Sequence, residues 1–128
     1  MRHLRKHQKH LRQPQAWAAF NDLKDHYAAN IAEDGGALKY LAKVYKLVCQ
    51  NKTNAAFEAE INRRLTRTLT IDNAFAAVIE VTSDLDRKRR WKYAKALRIA
   101  DLLDVPAKHL IKFVKGQGGF SGVIKIAV

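Results

Sequence analysis

Apolar positions recur at three- and four-residue intervals along most of this chain, the spacing that lines up one face of an α-helix. Pro14 suits the first turn of a helix reaching to about residue 32, in which Trp17, Phe20, Leu23, Tyr27 and Ile31 form one apolar stripe. Gly35-Gly36 ends it. A second helix, over residues 37 to 50, is apolar on two sides. Leu38, Leu41, Tyr45 and Val48 form one, and Tyr40, Val44 and Leu47 the other. Only Lys39, Lys43 and Lys46 remain as its wet edge, so this helix is expected at the centre. Thr53 or Asn54 is placed to cap a third helix that aligns Phe57, Ile61 and Leu65 and exposes Arg63, Arg64 and Arg67. Thr70 caps a fourth with Ile71, Phe75, Val78 and Ile79 in register, and Ser83 or Asp84 caps a fifth.

The most informative stretch is LRIADLLDVPAKHLIKFVKG, residues 97–116. It reads as two short helices joined by a tight turn, with Ile99, Ala100, Leu103, Val105, Leu110 and Phe113 facing one core. The small Ala100 lets a following helix approach closely. The turn falls at Asp104-Val105, and Pro106 sets φ for the next first turn.

The pattern of residues 99–112 resembles the helix-turn-helix of lactose-repressor-type transcription factors, V-A-x-x-x-G-V-S-x-x-T-V-S-R, without gaps. Ala100, Val105 and Leu110 match its structural positions, and Lys112 stands at its arginine. The resemblance implies DNA binding, with Ala107, Lys108 and Lys112 facing base edges. This chain departs from the pattern at Asp104, which replaces the turn glycine, at Pro106, which replaces the capping serine, and at Ile111, where the family is polar. A hairpin packed for structure alone would show a similar apolar pattern.

Charge sharpens the picture. The net charge is +12, and it lies at two places. Residues 1–12 carry +5 without one acid, through Arg2, Arg5, Lys6, Lys9 and Arg12. Residues 13–83 sum to zero, and residues 84–98 again carry +5, chiefly through Arg87, Lys88, Arg89, Arg90, Lys92 and Lys95. Residues 99–128 add +2, and there His109 and Lys115 join Lys108 and Lys112 as candidate contacts. Basic clusters flanking a neutral middle imply an anionic partner. The basic first turns of the fifth helix oppose its dipole, an arrangement useful against phosphates. Trp91 and Tyr93 are interleaved with this charge, to stack on bases or to pack and cover arginine stems.

The remaining features narrow the choice. Residues 1–13 form a basic arm in which His3, His7 and His10 have helical spacing, but without acid or cysteine partners they read as a solvated face rather than a metal site. Cys49, the one cysteine, excludes an internal disulfide and reads as a small hydrophobe in a reducing compartment. No apolar run approaches membrane length, and the basic start lacks the apolar core of a leader. The acids Asp22, Asp25, Glu33, Asp34, Glu58, Glu60, Asp72 and Glu80 read as solvated helix faces, with His26 four residues from Asp22 on the helix surface. In the tail, Gly116, Gly118, Phe120 and Val123 fall at the offsets of a kinase glycine-rich loop, but Ser121 stands at its third glycine and no lysine strand follows, so the glycines read as a helix stop. A short closing helix is favoured over a strand.

The expectation is therefore an all-α protein: a basic arm over residues 1–13 and one bundle of five to six helices over residues 14–128, with a helix-turn-helix-like unit at 85–116. The expected function is non-enzymatic DNA binding, without cofactor or metal, by a small cytoplasmic or nucleoid-associated regulator of the phage or plasmid type, with a homodimer allowed. The alternatives are an RNA-binding or ribonucleoprotein subunit, and an inhibitor docking its basic face on an acidic protein.

Overall fold

The computed structural model describes residues 12–65 and 74–126, which hold seven α-helices and no strand. In order they are α1 (Gln13–Asn30), α2 (Gly36–Gln50), α3 (Ala55–Arg64), α4 (Ala74–Thr82), α5 (Arg87–Leu102), α6 (Leu110–Gly116) and the single turn α7 (Phe120–Val123). A 3-10 turn, Ala107–His109, leads directly into α6. The expected helices 1 to 3 are present with ends shifted by one or two residues. Thr70, Ile71, Asp72 and Arg67 lie outside the described residues, as do Arg2, Arg5, Lys6 and Lys9 of the arm with its three histidines.

The corner between α1 and α2 is made by the two glycines. Gly35 caps α2 at φ +73°, and a Cβ on Gly36 would lie 1.9 Å from the backbone carbonyl oxygen of Asn30. That contact is with backbone, which cannot turn aside, so the chain reverses here because residue 36 has no side chain. Two asparagine and aspartate caps start later helices. Asn54 accepts the Phe57 amide at 2.9 Å, and Asp86 accepts the Arg89 amide at 2.8 Å. The cap of α5 is thus Asp86, not Ser83 or Asp84. Ser83 instead donates back to the Ile79 carbonyl, and Asp84 accepts the Tyr27 hydroxyl at 2.5 Å.

α2 occupies the middle as its two apolar sides require, packing on α1, α4, α5, α6 and the 3-10 turn. Tyr40, Leu41, Val44, Tyr45 and Val48 are buried, while Lys39, Lys43 and Lys46 stay wet. Its tyrosines also tie elements together. Tyr40 bonds Thr82 of α4, and the Tyr45 ring stacks on Phe75 while its hydroxyl donates to the Val105 carbonyl at 2.6 Å.

Several side chains depart from the expected pattern. Trp17 is 56% exposed, because Ala16, Phe20, Leu23 and Tyr27 form the buried line of α1 and Trp17 stands beside it. Glu60 is 1% exposed rather than solvated, and Arg64 folds over it, whereas Arg63 points out. His26 is half-buried with Nδ1 unpartnered, and burial, aided by Lys43 and Lys39, lowers its pKa. In the tail, Phe120–Val123 form one helical turn, with Val123 in the core.

The turn after α5 is a Schellman closure. The Asp104 amide donates to Asp101 O and the Val105 amide to Ala100 O, both at 3.0 Å, with Asp104 at φ +57°. A non-glycine residue is strained there, and a carboxylate sits poorly at a helix C-terminus. Asp104→Gly relieves both effects and gives back some chain entropy on unfolding. A net gain of about 0.5–1 kcal/mol is expected in thermal melts. Asp104→Val should instead lose about 1–2 kcal/mol.

Candidate nucleic-acid interface

α5 is the longest run of charge that the fold presents, and its two sides follow from residue size. Ala94, Ala96, Leu97, Ile99 and Ala100 are buried against α4, α7 and α2, the three alanines allowing close approach. At 100° per residue, Arg87, Lys88, Trp91, Lys95, Arg98 and Leu102 fall on one strip of the opposite side. All six are exposed. The strip holds four cations, one large aromatic and no acid. Asp101, the one acid within α5, stands off it, half-buried and held by Lys52 at 2.6 Å.

Trp91 is 59% exposed, so of the two roles open to it in the sequence, core packing is excluded. Tyr93 takes that role, meeting Phe120 edge-on at 4.9 Å between ring centres. Lys95 Nζ lies 5.0 Å from the Trp91 ring centre, a cation–π contact that covers part of the indole and leaves the rest to solvent. Lys95 and Arg98, three residues apart on this strip, repel one another at a cost of a few tenths of a kcal/mol. An anion laid along the strip relieves that repulsion.

The other basic residues divide. Arg89 is exposed on a different side of the first turn, with Asp86 3.9 Å away. Arg90 is half-buried and donates from Nη1 to the Leu85 carbonyl at 2.7 Å, so its guanidinium is partly committed to the fold. Lys92 is half-buried. Arg12 is exposed at the start of α1, its amide bonded to Gln15 Oε1 at 2.9 Å. Arg98 was missing from the candidate set, although its seven-residue spacing from Trp91 is the signal that places it on the strip.

In the hairpin, Ile99, Ala100 and Leu110 are buried as expected, Val105 and Phe113 are half-buried, and Leu103 points out at 44% exposure. Val105 folds back in place of Leu103 because the Schellman bond and the Tyr45 hydroxyl both hold it. Ala107, expected at base edges, is instead half-buried against the core. Lys108, His109, Ile111, Lys112 and Lys115 are exposed. α6 finds its main partners in α2 and α7, whereas α5 packs chiefly on α4, α7 and α2. The two arms of the hairpin therefore share α2 and α7 as common neighbours more than they pack on each other. A shallow groove beside the turn is lined by Leu103, Pro106, His109, Lys112 and Phe113.

Beneath Asp101 lies Cys49, whose Sγ is 3.8 Å from its carboxylate. Burial, then the Asp101 charge, pushes the thiol pKa up to about 11. Thiolate is therefore scarce at neutral pH, which makes this thiol a weak nucleophile. In the folded protein at pH 7.5 it should react with iodoacetamide at least tenfold more slowly than in urea. Equal rates would show that the site opens freely.

Among the described residues, no three His, Cys, Asp or Glu side chains group as metal ligands, and no helix is long and apolar enough to cross a membrane. No protein-family model, curated protein or solved structure matches this chain.

Proposed function

We propose that this protein is a non-enzymatic nucleic-acid-binding factor, DNA first, and that the exposed strip of α5 carries the main contact. The observation behind this reading is the acid-free strip Arg87, Lys88, Trp91, Lys95 and Arg98, every residue of it exposed, on the helix whose other side is core. Four cations along about 16 Å of helix match a polyanion better than a single small anion. Lys108, Lys112 and Lys115 give the hairpin a second basic face, of which the repressor-like pattern would use Lys108 and Lys112 for bases.

Docking on an acidic protein is a second reading, favoured by Leu102, Leu103 and Ile111, which are large, apolar and exposed around the hairpin. Fluorescence anisotropy against labelled duplex DNA, single-stranded DNA and RNA, from 50 to 300 mM salt, separates the two. The nucleic-acid reading expects log K to fall linearly with log salt, by about 0.9 per phosphate contacted on duplex and 0.7 on single strands. Absence of binding to all three at 50 mM salt refutes it.

A further inference from the structure

We propose that the α5 strip is a seat for an unpaired stretch of nucleic acid, with one base stacked on Trp91 and phosphates held by Lys88, Lys95 and Arg98. This rests on the nucleic-acid reading above and makes it narrower. An indole offers a flat apolar face. In an intact duplex the base faces are closed by their neighbours, and only edges and backbone are presented in the grooves. An unpaired base has an open face, and aromatic side chains within a basic track are the general means of holding one.

The surroundings of Trp91 argue for this occupant over an apolar protein surface. Arg87 and Lys88 precede it by four and three residues, and Lys95 and Arg98 follow at four and seven, so cations flank it on both sides along the helix. A hydrophobic partner covering the indole would have to strip water from those charges without pairing them, which costs several kcal/mol. A nucleic-acid strand brings both the flat face and the counter-charge. From Lys88 to Arg98 the helix rises about 15 Å, room for about four nucleotides at the rise of a stacked strand. Apart from the Lys95 contact on one part of it, the ring stands outside the core: Tyr93, not Trp91, packs there.

The test uses the full chain. Affinities are measured by anisotropy at fixed salt for oligo-dT, oligo-U, a strand of the same length made of abasic sites, and a blunt duplex. Trp91→Ala should weaken binding to oligo-dT or oligo-U about 5- to 150-fold, and binding to duplex and abasic strand by less than twofold. Trp91→Phe should restore most of the loss. The oligo-dT and oligo-U arms decide between DNA and RNA. Because Trp17 is the one other tryptophan, Trp17→Phe makes fluorescence report Trp91 alone, and quenching by the single strands but not the duplex is expected. Both positions are exposed, and unchanged circular dichroism confirms that the variants fold. If Trp91→Ala binds every ligand as wild type does, or weakens all of them equally, the stacking seat is overturned while the nucleic-acid reading stands. If wild type binds none of them, both fall.

Discussion

Glu60→Ala should lower the unfolding free energy by about 3–5 kcal/mol, more than any other change of an ionic group in the described fold. The carboxylate is 1% exposed and bonded at both oxygens. Oε1 accepts from Gln13 Nε2 at 3.1 Å and Arg63 Nη1 at 2.7 Å, while Oε2 accepts from Arg64 Nε at 2.5 Å. Arg64, its side chain only 15% exposed, also reaches Asn21 Oδ1 at 2.9 Å and the Trp17 carbonyl at 3.2 Å and lies over the Phe20 ring. Glu60 and Arg64 thus join α3 to α1. Truncating the acid leaves a mostly buried guanidinium without its counter-charge and opens a void beside it. The pair Lys52–Asp101 is as short, at 2.6 Å, but half of the lysine faces water, so Lys52→Ala should cost about 0–1 kcal/mol. Arg63→Ala belongs in that lower range too, its side chain being 55% exposed. Urea titrations of the three variants check the ranking. A Glu60→Ala loss below about 1 kcal/mol would mean that the Glu60 carboxylate is solvated after all.

The same residue shows why part of the fold was legible and part was not. Phe57, Glu60, Ile61 and Arg64 stand at i, i+3, i+4 and i+7, the spacing of a core-facing strip, yet a reading by hydrophobicity keeps Phe57 and Ile61 and discards the charged pair. An acid and a base four apart within such a strip was the signal that this pair turns inward. Trp17 misled in the opposite direction: a large apolar residue claimed the strip that the smaller Ala16, fully buried, holds. α2 was legible because it is apolar nearly all round, so no partner had to be known to place it. The start of α5 was not, because the competition among Ser83, Asp84 and Asp86 is decided by Tyr27, 57 residues from Asp84 in sequence. Likewise, the apolar pattern of residues 97–116 is the same whether the second arm packs on the first or on α7, and only the three-dimensional arrangement distinguishes them. The basic strip was half legible. Arg87, Lys88 and Lys95 followed from charge, whereas the exposure of Trp91 depended on which side of α5 the alanines would bury.

Replacing Lys88, Lys95 and Arg98 together by alanine should give the largest change in binding. If each holds one phosphate, the slope of log K against log salt on duplex DNA becomes shallower by about 2.7. Between 50 and 200 mM salt the wild-type protein then loses about 40-fold more affinity than the triple variant does. Stability should not fall, because all three positions are exposed, alanine is the better helix former, and mutual repulsion is removed. A melt at or above the wild-type temperature therefore separates lost contacts from lost fold. The hairpin provides the contrast. Where Lys108 and Lys112 read bases as the repressor-like pattern implies, each alanine variant costs about 1–3 kcal/mol on a preferred sequence and little on random duplex. The α5 variant, which removes backbone contacts, weakens preferred and random duplex alike. Anisotropy over a salt series on both duplexes measures each effect. An unchanged slope in the triple variant would remove α5 from the interface and leave the hairpin lysines to carry it.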